Sequence, residues 1–193
     1  MTDLWTGDFG DAYTARQPSN IVDRREFWCA IMPPNVGSIL EVGANTGMNL
    51  EAISQFSAAR LRGVEPNNRA RLEACEKYEV ISACADDIPY PDGLFDLVFT
   101  CGVLIHIPTD KLLASMKEIH RVSGQWIICA EYFAPGEEMI PYRGTTDTLW
   151  RRDYGSIWMD NFPDLSCEGC VFAWKRITGM DNLVVWIFEK GQQ

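Results

Sequence analysis

Short apolar runs alternate with segments of helical character along this chain, and that alternation narrows its fold more than any other feature. Ser38–Val42, Leu61–Val64, Val80–Ala83, Phe95–Thr100 and Gln125–Ala130 read as strands. Residues 48–57, 67–77 and 110–122 read as the helices between them, the last capped by Thr109. A helix over 19–32, containing Ile21, Phe27, Trp28 and Ile31, is stopped by Pro33-Pro34. Consecutive strand–helix units build a parallel sheet covered by helices. Phe95–Thr100 has the composition of a strand buried on both faces. Beyond the fifth strand the rhythm changes. Glu131–Thr146 is irregular, a helix follows near 147–161, and Val171–Trp174 with Leu183–Phe188 reads as a closing antiparallel hairpin. The expectation is an α/β fold: a seven-stranded, mostly parallel sheet with one antiparallel strand and helices on both faces.

Composition bounds the rest. A length of 193 residues with 47% hydrophobic suits one globular domain spanning 1–193. No apolar run approaches the ~18 residues that a membrane-spanning helix needs. The acidic start Met1-Thr2-Asp3-Leu4-Trp5 is no signal peptide, so a cytoplasmic location is expected. The net charge of −10 repels phosphate backbones and disfavours nucleic acid as a partner, although Arg24-Arg25 and Arg151-Arg152 are local basic exceptions. Seven cysteines do not suggest a disulfide scaffold. Cys167 and Cys170 form a C-x-x-C, but His106 and His120 are remote, and residues three apart on a strand point to opposite faces. No metal is expected.

Ile39-Leu40-Glu41-Val42-Gly43-Ala44-Asn45-Thr46-Gly47 carries the most chemistry. A strand ends in an acidic residue, and a glycine loop opens a helix. Gly43 and Gly47 admit unusual φ values and close approach of a ligand. Glu41 is suited to hold a cationic amino group. A dinucleotide fingerprint would need glycines where Asn45 and Met48 stand, so a pyrophosphate cradle is disfavoured. Glu65, in Gly63-Val64-Glu65-Pro66-Asn67, falls at the tip of the second strand, where a carboxylate can accept both ribose hydroxyls. Ala83-Cys84-Ala85-Asp86-Asp87 follows the third strand and can read an adenine edge or serve as a turn. Phe95–Ile107 ends the fourth strand in a loop. In open α/β sheets ligands sit at the carboxyl edge, where all four segments converge.

These residues resemble the class I S-adenosylmethionine-dependent methyltransferases, which have a Rossmann-like fold. More narrowly they resemble the pseudaminic acid biosynthesis-associated methylases. The narrower likeness rests on Phe9–Arg16, Glu41–Leu50, Gly102–Ile107, Ala130–Phe133, Pro141–Gly144, Arg151–Tyr154 and Phe162–Leu165. The resemblance implies S-adenosyl-L-methionine as cofactor and S-adenosyl-L-homocysteine as its product. Glu41, Gly43, Ala44, Asn45 and Gly47 would surround the methionine part, with backbone from Cys101. Glu65 and Pro66 would meet the ribose, and Ala85 with Asp86 the adenine. Tyr13 and Arg16 would cap the cofactor from an N-terminal helical segment, 1–37. Cys84 stands where many such enzymes carry an adenine-binding Asp, which leaves Asp86 and Asp87 as alternatives.

Methyl transfer requires mainly positioning and exclusion of water. His106 is the first candidate base, with an ordinary pKa of about 6.5. Glu131 and Tyr132, at the end of the fifth strand, are candidates to bind or deprotonate an acceptor. Tyr142 and Arg143 fall in an expected lid insertion, 132–150, where Arg143 suits a carboxylate or phosphate. Arg151, Arg152 and Asp153 read as a solvated face, and Trp5, Trp28 and Trp150 as possible pocket walls. The expected activity is N- or O-methylation of a small polar metabolite, such as an amino sugar or related intermediate, by a monomer or homodimer with no membrane partner. A non-catalytic S-adenosylmethionine- or nucleoside-binding subunit of the same fold is the alternative. Methylation of a protein side chain is a third reading.

Overall fold

The computed structural model describes residues 2–16 and 24–191. Its elements are α1 (Thr2–Thr6), α2 (Asp8–Ala15), α3 (Arg24–Ile31), β1 (Ser38–Val42), α4 (Met48–Ser54), β2 (Arg60–Val64), α5 (Asn68–Ala74), β3 (Glu79–Ile81) and β4 (Phe95–Cys101). A 3-10 turn (Leu104–His106) then leads to α6 (Thr109–Val122), β5 (Ser123–Glu131), β6 (Glu138–Met139), β7 (Trp150–Arg151), α7 (Tyr154–Asn161), β8 (Leu165–Ala173), α8 (Lys175–Thr178) and β9 (Leu183–Lys190). Seven strands form one sheet in the order β3-β2-β1-β4-β5-β9-β8. Neighbours from β3 to β5 run parallel, and β9 runs antiparallel to both β5 and β8. This is the Rossmann-like architecture expected, with β9 as the reversed strand.

Alternation of side chains across the pleat divides the core in two. Leu40, Val98 and Ile127 face α6 and α7, where Met116, Ile119 and Trp158 meet them. Ile39, Leu97, Phe99 and Ile128 face the other way, onto Phe27, Trp28, Leu50 and Ile53 of α3 and α4. Both faces of the central strands are therefore covered, which is why β1, β4 and β5 are apolar nearly throughout.

Several expectations need correction. Residues 147–153 are not helical: Trp150–Arg151 pairs with Glu138–Met139 in a two-stranded ribbon, and α7 starts only after Asp153, whose carboxylate accepts from the Ser156 N–H at 3.0 Å. Thr109 does not cap α6. Pro108 holds the cap position, and the Thr109 hydroxyl donates to Glu137 at 2.8 Å. The strand expected at Val171–Trp174 starts as early as Leu165. Within it a bulge between Cys167 and Gly169 lets Cys167 oppose Phe188 and Cys170 oppose Trp186, so both thiols lie on one face of β8, not on opposite faces. Of the helix expected over 19–32, residues 19–23 with Ile21 lie outside the described residues, and α3 accounts for the remainder. Among the described residues no helix is long and apolar enough to cross a membrane, and no group of three metal-ligating side chains forms.

Candidate functional site

After β1 the chain turns to α4 on one face of the sheet, and after β4 it turns to α6 on the other. Adjacent strands whose connections depart to opposite faces leave a crevice at their carboxyl ends. A cavity of about 490 Å³ opens there. That volume lies within the ~300–1,000 Å³ common for cofactor and small-molecule sites.

The loop after β1 is shaped by backbone in the left-handed region at Gly43 (φ +75°), Asn45 (+48°) and Gly47 (+80°). The N–H groups of Gly43 and Ala44 both donate to the Val64 carbonyl, at 2.8 and 3.0 Å, tying this loop to the end of β2. A Cβ on Gly43 would meet Val103 Cγ2 at 2.6 Å, so the β1 and β4 loops can approach this closely only with glycine there. Glu65, buried just past β2, accepts from Asn45 N–H and Asn67 N–H, each at 2.8 Å. One carboxylate thus fixes two loops. Each carboxylate oxygen has two lone pairs, so acceptor capacity remains toward the cavity that Glu65 lines.

Glu41 is 2% exposed, yet it lines the same cavity. Its Oε1 accepts from Asn49 Nδ2 at 2.7 Å, while Oε2 has no partner among the described residues. The amide of Asn49 is held in turn by Arg24 at 2.7 Å and Trp28 Nε1 at 3.2 Å, both donating to its Oδ1. Burial pushes the Glu41 carboxyl up to about 8. A buried acceptor oxygen with spare lone pairs beside a cavity suits a cationic ligand group, which restores the ionised form.

This shift has a measurable sign. The folded chain keeps a proton on Glu41 that the unfolded chain releases above its ordinary value of 4.5. The stability involved is complete below that value and lost as pH rises toward about 8. The ligand-free melting temperature of Glu41→Gln should therefore decline less than that of wild type between about pH 5 and 8. Parallel declines would show that Glu41 is not the titrating group.

Ala83, Cys84, Ala85 and Asp86 line the cavity beyond β3. Asp86 accepts from Lys111 Nζ at 3.1 Å, whereas Asp87, whose N–H donates to the Cys84 carbonyl, is outside the lining. Cys101, at the end of β4, contributes to the wall, and burial pushes its thiol up to about 12.

On the opposite side of the crevice His106 lines the cavity from the 3-10 turn. Its Nδ1 is 2.6 Å from the Thr148 carbonyl oxygen. A carbonyl only accepts, so Nδ1 bears the proton and Nε2 of the neutral ring keeps its lone pair. Burial lowers the pKa of this ring to about 4. Trp5 and Tyr142 flank the imidazole, with ring centroids 4.4 and 5.3 Å away. Tyr132 donates its hydroxyl proton to Asp181 at 2.7 Å. Burial, with Asp181 beside it, holds the Tyr132 hydroxyl well above its ordinary range.

Glu131 is fully buried and does not line the cavity. Its carboxylate accepts from the N–H groups of Val103 and Leu104 at 3.1 Å and Ile105 at 3.3 Å. It organises the turn that carries His106, and burial raises it to about 7. Arg152 is likewise buried, contrary to the solvated face expected for it. It pairs with Glu137 at 2.7 Å and donates to the Ile107 carbonyl at 3.1 Å.

The cavity therefore gathers Tyr13, Arg16, Glu41, Gly43, Ala44, Asn45, Glu65, Pro66, Ala85, Asp86, Cys101, His106, Tyr132, Tyr142 and Arg143, but neither Gly47 nor Glu131. Of the three tryptophans considered, Trp5 lines it and Trp28 and Trp150 do not. Asn49, Lys175 and Asp181 line it without having been singled out from the sequence. Asn49 had a signal: a polar residue in the first helical turn after an acidic strand end. Lys175 and Asp181 had only topology, since a reversed strand begins at the edge where its parallel neighbours end.

Residues 40–128 match the family model described as Methyltransferase domain. No curated protein sequence matches the chain. Among solved structures, a chain from the complex of the Haloferax volcanii Trm112 methyltransferase activator with a methyltransferase is similar at TM-score 0.75 and 14% identity, over 97% of this chain and 98% of that one. Magnesium protoporphyrin IX methyltransferase from Synechocystis PCC 6803, with bound S-adenosylhomocysteine, gives 0.71 and 13%, over 98% of each chain. The 1,6-didemethyltoxoflavin-N1-methyltransferase of Burkholderia thailandensis, with bound 1,6-didemethyltoxoflavin and S-adenosylhomocysteine, gives 0.70 and 11%, over 97% of this chain and 84% of that one. The chain has the class I S-adenosylmethionine-dependent methyltransferase fold.

Proposed function

We propose that this protein is an S-adenosylmethionine-dependent N- or O-methyltransferase acting on a small polar metabolite. The observation that carries the reading is the pair Glu41 and Glu65, both buried and both facing one strand-edge cavity, with Glu41 Oε2 lacking a partner among the described residues. Glu41, oriented by Asn49, would hold the cofactor's ammonium group. Glu65 with Pro66 would hold the ribose, and Ala85 with Asp86 the adenine. Gly43, Ala44, Asn45 and Cys101 would form the wall around the methionine part, with Gly47 opening the helix behind it, and Tyr13 and Arg16 a cap within residues 1–37. When bound, S-adenosylmethionine supplies a methyl group already activated by its sulfonium and leaves as S-adenosylhomocysteine.

His106 is the candidate group at the acceptor. Its free Nε2 lone pair can accept a hydrogen bond from the acceptor's N–H or O–H and orient it. With a pKa near 4, the ring is neutral at physiological pH and takes up a proton only as the acceptor becomes strongly acidic during transfer. Glu131 would serve by fixing that turn, and Tyr132 by donating to Asp181. Residues 132–150, with Tyr142 and Arg143, would form the acceptor-side lid. The narrower resemblance to the pseudaminic acid biosynthesis-associated methylases makes an amino sugar or related intermediate the first acceptor to try.

The test is formation of S-adenosylhomocysteine across a panel of small amines and hydroxylated metabolites. With any acceptor that turns over, His106→Ala should lower the rate by about 100-fold, the low end for a positioned acid–base group. Its affinity for S-adenosylhomocysteine should stay within about threefold of wild type, because His106 faces the acceptor. A larger loss of cofactor affinity than of rate would remove His106 from this role. Cofactor binding without turnover on any acceptor would favour a non-catalytic binding subunit.

A further inference from the structure

We infer that the acceptor carries an anionic group, a carboxylate or a phosphate monoester, which Arg143 and Lys175 receive at the entrance to the cavity. This inference rests on the methyltransferase reading for the word acceptor, but the anion site itself stands on separate observations.

The first is the position of the entrance. Tyr132, Tyr142, Leu149, Lys175 and Asp181 line both the main cavity and a second, more open groove beside it, and Arg143, next to Tyr142 in the chain, lines the main cavity. Whatever enters from that groove passes these residues. The second is the gathering of cations near that point. Asp181 is the acidic residue shared by the two linings, and Lys175 lies 3.0 Å from its Oδ1. Arg24 and Arg143 also act on Asp181 electrostatically. Lys175 is thus the ion-pair partner of that carboxylate, Arg24 and Arg143 act on it from further away, and Arg24 also acts on Glu41.

The third observation is Arg143 itself. The neighbouring arginines of its segment are paired, Arg151 with Glu138 and Arg152 with Glu137. Arg143 has no such ion pair among the described residues. Its guanidinium lies over the rings of Tyr13 and Tyr142, 5.8 and 5.3 Å from their centroids. Its backbone φ of +50°, followed by +82° at Gly144, is that of the central pair of a tight turn closed by Tyr142 and Thr145, and the turn fixes where the side chain leaves the backbone. The two tyrosine faces already hold a cation belonging to the protein, so they are not a cage for a cationic ligand. The guanidinium bonds to the Tyr142 side chain and acts on Asp181 only from beyond ion-pair distance, so among the described residues it has no contacting carboxylate; a guanidinium fork fits carboxylate or phosphate oxygens bidentately.

The experiment compares three probes of one shape, 4-fluorobenzoate, 4-fluorophenyl phosphate and 4-fluorobenzylamine, by ¹⁹F line broadening at low salt. Each is titrated with and without saturating S-adenosylhomocysteine, whose own binding is measured by calorimetry. At least one anion should bind about tenfold more tightly than the amine, and the tighter anion identifies the group as carboxylate or phosphate. Arg143→Gln should weaken that anion about tenfold, as expected for a lost charge-assisted contact, and Lys175→Gln should weaken it less. Melting temperatures show that both variants are folded. An amine that binds as well as the anions, or an anion affinity unchanged in both folded variants, overturns the inference. Nucleoside binding without anion binding defeats this site and leaves the proposed function standing; anion binding without nucleoside binding does the reverse.

Discussion

Arg152→Ala should lower the melting temperature by about 6–12 °C, taking ~3 kcal/mol lost and ~2–4 °C per kcal/mol for a chain of this size. The side chain is 2% exposed and serves several acceptors, of which the Leu104 carbonyl also accepts from the Ile107 N–H and Glu137 from the Thr109 hydroxyl. It donates to the Leu104 and Ile107 carbonyls at 3.5 and 3.1 Å, to Thr109 Oγ1 at 3.1 Å and to the Tyr154 hydroxyl at 3.2 Å. Trp150 and Tyr154 cover the guanidinium with ring centroids 5.1 and 5.9 Å away. Truncation leaves buried acceptors without this donor and opens a void between two rings. The Glu137 ion pair adds little to that loss, since Glu137 is 45% exposed. Arg151→Ala is the internal comparison. That residue is exposed and reaches Glu138 at 3.4 Å, so its loss should cost below ~0.5 kcal/mol. Thermal melts of the two variants check the difference. Equal shifts would mean that Arg152 does not hold the turn bearing His106 to the residue 132–153 segment.

The sheet was legible in the sequence because its central strands are buried on both faces. Ile39-Leu40, Leu97-Val98-Phe99 and Ile127-Ile128 supply apolar side chains to both helix layers and cannot be read as surface. The cofactor side was legible for a related reason. Glu41, Gly43 and Glu65 occur at strand ends, and strand ends of a parallel sheet meet at one edge. Arg152 was not legible. In sequence it sits in a polar run, and only the ribbon formed with Glu138–Met139 turns it inward. Nor was the commitment of Glu131, whose three backbone donors belong to a turn formed by residues distant in the chain. The same-face placement of Cys167 and Cys170 depended on a bulge, which the two-residue period of a strand does not announce. Asp181 and Lys175 reach the cavity through the reversed strand, a topological fact with no local motif.

The second large effect concerns Glu65. It accepts from the Asn45 and Asn67 N–H groups on either side of the cavity wall while retaining lone pairs toward the interior. In the proposed complex those lone pairs take two ribose hydroxyls. Two hydrogen bonds to a charged acceptor, each worth ~1.5 kcal/mol, amount to about a 100-fold change in affinity. Glu65→Ala also releases the Asn45 and Asn67 loops, so about 100-fold is the lower end of the expected loss. Glu65→Gln, which keeps one acceptor oxygen, should recover part of it. The decisive measurement is calorimetric titration of S-adenosylhomocysteine into wild type and Glu65→Ala side by side. Saturable binding to wild type that falls by about 100-fold or more in the variant is the predicted result. No binding to wild type at millimolar ligand, or equal binding by the two proteins, would contradict the account.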